Sequence, residues 1–84
     1  MKIKFYSDAG HGWAAMKRKT LAEMGLIDKI SHYSYQRGQT VYLEEDCDLS
    51  LLIGVLKAKN ITPVFTDSHT NGRSPIRSYD TFKA

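Results

Sequence analysis

Between His32 and Glu45 the chain carries Tyr33 and Tyr35 on one side of Arg37-Gly38 and Val41 and Leu43 on the other, the pattern of a β-hairpin. Its register decides which residues share a face, because a slip of one position inverts the whole set. A two-residue Arg37-Gly38 loop pairs Tyr35 with Thr40 and splits the apolar residues between both faces. A three-residue loop, Gln36 to Gly38, with Gly38 in the left-handed position of a bulged turn, pairs Tyr33 with Val41. That register gathers Tyr33, Tyr35, Val41 and Leu43 on one face and is preferred for that reason. A sheet with one apolar face has to be covered, and the next segment supplies the cover. Leu49, Leu52, Ile53 and Leu56 recur at helical spacing behind Asp48, which reads as an N-cap for a helix running to about Lys59. Gly54, mid-helix, suggests the close approach of another element.

The remaining segments add to the same layers. Lys2 to Ser7 alternates polar and apolar, the mark of a half-buried strand with Ile3 and Phe5 inward. Asp8 to Gly12 breaks the pattern with two glycines and redirects the chain. A helix is expected from Lys17 to Met24, closed by Gly25 with Leu26 as its hydrophobic partner. Trp13 to Met16 is either the first turn of that helix or the return strand of a hairpin. Ile61 to Thr66 reads as a last strand. The fold class expected is a single α+β domain over residues 1–84: a mostly antiparallel sheet of four or five strands, two helices on one face, and an irregular basic tail over 70–84.

With 84 residues, one domain is the limit and a deep catalytic cavity is hard to accommodate. The lone cysteine, Cys47, rules out an internal disulfide and fits a reducing cytoplasm. No apolar run approaches the roughly 20 residues needed to span a bilayer, and the Met1 start lacks a signal-peptide core. No cofactor motif is present. The histidines and Cys47 lack zinc-ligand spacing, so no metal is expected, and Asp46 and Asp48 beside Cys47 oppose a reactive thiolate.

The net charge is +3, with acid concentrated in Glu44, Glu45, Asp46 and Asp48. Basic residues in the first third and in the tail can converge on phosphates. The residues expected to bind are His11, Trp13, Arg18, Arg37, His69, Arg73, Arg77 and Tyr79: arginine forks for phosphates or carboxylates, aromatic rings to stack. Gly10-His11-Gly12 lacks the spacing of a phosphate loop and reads first as a turn. Tyr33, Tyr35 and Tyr42 have the look of a base-stacking platform, but the preferred register assigns two of them to the core.

Ser7 to Trp13, Ser34-Tyr35-Gln36 and Tyr42 to Leu49 resemble segments of short proteins encoded by bacteriophages and plasmids. The resemblance implies an accessory, anti-defence role. The expectation is therefore a non-enzymatic binding protein that engages a host defence protein, a nucleotide signal or a nucleic acid through its basic loop and tail. An exposed sheet edge makes a homodimer plausible. Two other readings stand beside it: a small hydrolase or nuclease built on Asp8 and His11 with His69, and an inhibitor whose acidic 44–48 cluster mimics nucleic acid.

Overall fold

The computed structural model describes residues 1–84. Period-two alternation places β1 at Lys2–Ser7. The chain turns at Asp8 to His11 and returns antiparallel as β2, Gly12–Lys17, so Trp13 to Met16 is the return strand of a hairpin. Helix α1, Arg18–Glu23, follows at once. It stops where Gly25 takes φ +72°, with Leu26 N–H donating to Leu21 C=O and Gly25 N–H to Ala22 C=O. That is a Schellman closure, and both leucines it joins are buried. Strands β3, Tyr35–Arg37, and β4, Thr40–Glu44, form the expected hairpin. Helix α2 spans Leu49–Ala58, and the chain ends through strands β5, Val64–His69, and β6, Asp80–Thr81.

The strands form one sheet in the order β5-β1-β2-β4-β3-β6, antiparallel throughout except for the parallel β1–β5 pair. The α+β class, the mostly antiparallel sheet and the two helices hold. The strand count rises to six because β6 joins from the C-terminal arm, which also forms a 3-10 turn at Pro75–Ser78. β5 is exposed along its whole length at one edge, while the other edge is only two residues long. A second copy pairing strand to strand would meet β5.

Register fixes two distinct faces. Phe5, Ala14 and Leu43 lie in one cross-strand row and Met16 pairs with Val41 in the next. This inner face packs with Ile3, Leu21, Leu26, Leu52, Leu56 and Phe82 into one core, so both helices cover the same side. Leu52 and Leu56 are completely buried, as the helical stripe requires. At Gly12 the backbone lies against the Phe5 ring, and a Cβ there would overlap ring carbon Cζ. Gly12→Ala is therefore expected to force the ring out of place and lower stability by about 1–3 kcal/mol, measured by urea denaturation.

Four local expectations change. The hairpin loop is Gly38-Gln39, with Arg37 paired to Thr40 and Tyr35 to Tyr42. Gly38 has φ +58° at the first loop position, as a type II′ turn requires. Tyr35 thus leaves the face of Val41 and Leu43, and Tyr33 is 60% exposed. Asp48 occupies the helix start but does not cap it: its buried carboxylate accepts from the Ser31 N–H and from the hydroxyls of Ser31 and Ser34. β5 begins at Val64 rather than Ile61 because Ile61 N–H is used to close α2, donating to Leu56 C=O beside Asn60 at φ +56°. Gly54 faces open space, with nothing within 4 Å of where a Cβ would stand.

Candidate nucleic-acid interface

Because the helices take the inner face, the outward face is left to charged, polar and aromatic side chains. Strand alternation puts Lys2, Lys4 and Tyr6 there from β1, Trp13, Ala15 and Lys17 from β2, and Thr40, Tyr42 and Glu44 from β4. Lys4, Ala15, Tyr42, Tyr35 and Thr81 form one cross-strand row, and Lys17, Thr40 and Arg37 form the next. The face divides in two. The C-terminal arm crosses the Trp13 end, where Ile76 is buried, and leaves the lysine end open.

The open end is a recess of about 500 Å³ whose lining includes Lys2, Lys4, Tyr6, Lys17, Thr40 and Tyr42, and no carboxylate. All three lysines are exposed, and none has a carboxylate within 4 Å. Like charges this close, with no counter-charge, set up a positive field that a phosphate chain relieves. Tyr6 and Tyr42 line the recess, and Tyr79 stands beyond Tyr42 on the arm side. Tyr6 meets Tyr42 edge-on at 6.2 Å between centroids, and Tyr42 meets Tyr79 at 5.2 Å. The Arg37 guanidinium lies 5.1 Å from the Tyr79 centroid and donates to its hydroxyl at 3.3 Å. Burial, with help from the neighbouring Tyr79 and Tyr6 phenols and against Arg37, pushes the Tyr42 phenol above its ordinary value, so it remains a neutral donor.

The residues expected from the sequence fall into three groups. Arg37 and Tyr79 belong to this surface. His11, Trp13 and Arg77 meet at the far end of the same face, around a second recess of about 330 Å³. Arg18, His69 and Arg73 join neither. Arg18 donates to Gln36 Oε1 at 3.1 Å and to Lys83 C=O at 2.7 Å and lies over the Phe82 ring, so it pins the C-terminus. His69 Nδ1 shares a hydrogen bond with Ser7 Oγ at the exposed edge. Arg73 reaches only the Arg77 carbonyl.

The glycine bend and the C-terminal arm do come together, but as a neutralised clamp and not as a positive surface. Arg77 donates from Nε to Asp8 Oδ2 at 2.6 Å and from its terminal nitrogen to Oδ1 at 2.8 Å. Asp8 also accepts from the backbone N–H groups of Gly10, His11 and Ser74. The fork, chiefly, and these N–H groups hold the Asp8 carboxyl far below the usual carboxylate range. The same pairing raises the Arg77 guanidinium, which spreads over the Trp13 ring at 5.4 Å. The bend's N–H groups are thus already taken by an internal carboxylate, which leaves no phosphate cradle at Gly10 to Gly12.

This geometry also bears on the other two readings. Asp8 does not touch the His11 imidazole; that ring is 3.2 Å from Glu44 Oε1, and His69 is held by Ser7, so no Asp8-His11-His69 relay is assembled. Of the four acids in the cluster, Glu44 and Asp48 are buried and hydrogen-bonded inside the protein. Only Glu45 and Asp46 are displayed, which is a small surface for a nucleic-acid mimic. Desolvation, a hydrogen bond to Glu44 and the surrounding carboxylates push the Cys47 thiol up, in keeping with an unreactive cysteine.

Sequence reasoning did not select Lys2, Lys4, Lys17, Tyr6 and Tyr42 for this surface. The alternation in β1 already separated Lys2 and Lys4 from Ile3 and Phe5, so their shared side was visible. That this side would stay uncovered was not. No protein-family model, curated protein or solved structure matches the chain.

Proposed function

We propose that the protein is a non-enzymatic binding module that takes a single-stranded nucleic acid across the open end of its outward sheet face. The observation that carries this reading is the recess where Lys2, Lys4 and Lys17 stand without carboxylate neighbours beside Tyr6 and Tyr42. In it the ammonium groups track phosphates, while the tyrosine rings offer π-faces to unstacked bases. Arg37, braced on Tyr79, extends the positive edge across the sheet, in the cross-strand row of Lys17 and Thr40. Single strands fit better than duplex, because the rings sit on a sheet floor that paired bases cannot reach. Among the modes expected of an accessory, defence-blocking protein, sequestration of a nucleic acid is the one this surface favours.

The test is fluorescence anisotropy of labelled twelve-nucleotide single strands, DNA and RNA, titrated with protein at several salt concentrations. Saturable binding with a Kd of about 1–100 μM, weakening as salt rises, is expected. Absence of saturable binding to either strand at low salt rejects the reading. Product accumulating in excess of protein would move the protein to the enzyme class.

A further inference from the structure

We propose that His11, Glu44 and Asp46 form a binding site for a divalent cation of the zinc class. The site lies at the opposite end of the outward face from the lysines and is independent of the nucleic-acid reading.

The topology builds it from distant segments. Pairing of Trp13 with Glu44 across β2 and β4 brings the glycine bend beside the end of β4, and the turn after β4 supplies Asp46. One donor atom from each of the three residues lies within 4.8 Å of the other two. His11 Nδ1 stands 3.2 Å from Glu44 Oε1, and the other Glu44 oxygen accepts from the Asp46 N–H at 2.8 Å. That spacing lets the imidazole and the two carboxylates turn their donor atoms on one ion. Glu44 is the pivot. Its side chain is only 8% exposed and has no lysine or arginine within 4 Å. Arg77 borders the same recess, but its fork is committed to Asp8. A buried carboxylate next to a second one, balanced by nothing but an imidazole, lacks positive charge, and a divalent ion supplies it.

Trp13 lines the same recess and is 1% exposed, so its emission reports on what enters there. The volume of about 330 Å³ admits an ion together with water ligands. His11 and Asp46 are exposed, so entry is open. Imidazole nitrogen beside carboxylate oxygens is a donor set for zinc or a neighbouring first-row ion. Calcium, which takes six to eight oxygens, is poorly served.

The experiment is calorimetric titration of the metal-free full chain with zinc chloride and, separately, calcium chloride. Emission from Trp13, the only tryptophan, is followed in parallel. One zinc per chain with a change in Trp13 emission is expected, and no calcium binding over the same range. His11→Ala and Asp46→Asn, both at exposed positions and checked for folding by circular dichroism, should each weaken zinc binding about 10-fold or more. His69→Ala should leave it unchanged. Failure of the wild-type chain to bind zinc overturns the proposal, and so does an affinity that survives in the His11→Ala/Asp46→Asn double variant.

Discussion

Asp8→Asn is expected to be the most damaging single polar substitution in this chain, lowering the melting temperature by about 10 °C. The asparagine amide turns a donor toward the Arg77 fork, which then has no carboxylate, and the bond from Ser74 N–H is put at risk with it. Those contacts hold the C-terminal arm against the outward face, so the 3-10 turn carrying Ile76 should loosen with them. Arg77→Met, which keeps an extended side chain over Trp13 and leaves Asp8 its three backbone donors, should cost less. The pH dependence has a definite sign. Asp8 titrates below its ordinary value in the folded chain, so its contribution is complete above the unfolded carboxylate pKa of about 3.9. It is lost progressively as pH falls from there through the lower folded value. Thermal melts of the wild type should therefore show a loss of stability on the acid side of that range, and Asp8→Asn should flatten it. Equal acid sensitivity in both proteins would show that the clamp does not govern acid stability.

The parts of this fold that were legible in the sequence are those fixed by local rules. Alternation at Lys2 to Tyr6 marks β1, Gly25 and Leu26 mark the end of α1, and the Leu49-Leu52-Ile53-Leu56 stripe marks α2 with its buried side. The hairpin is visible, but a register chosen to collect the apolar residues presumes that only one face is covered. The C-terminal arm covers part of the second face, so Tyr35 can pack there against Trp13 at 6.3 Å between centroids. Asp48 shows the same limit in miniature. A helix-start aspartate reads as a cap, yet a partner 17 positions away, Ser31, claims its carboxylate. The arm reads as irregular because its order depends on Asp8, 66 positions from Ser74.

The sites follow the same division. Arginine forks and aromatic rings point to Arg37 and Tyr79, but the same chemistry points equally to Arg18 and Arg77, whose donors are used internally. The lysines of β1 and β2 acquire meaning only from the topology, which sends both helices to the other side of the sheet. His11 and Glu44, 33 positions apart, meet only through the β2–β4 pairing, so no spacing rule finds them.

The second large effect concerns the lysines themselves, and it tests the central claim most directly: salt-dependent anisotropy of a labelled single strand, wild type against the Lys2→Ala/Lys4→Ala/Lys17→Ala variant. Each phosphate neutralised on a single strand contributes about −0.7 to the slope of log affinity against log salt, so losing three should flatten that slope by about 2. Affinity at low salt should fall about 100-fold, since this attraction supplies most non-specific binding. The substituted side chains are exposed, so the folded state should survive, as circular dichroism can verify. Lys57→Ala/Lys59→Ala, at the end of α2 on the helical side of the sheet, should bind as the wild type does. A triple variant that keeps both the affinity and the salt slope of the wild type would contradict the account.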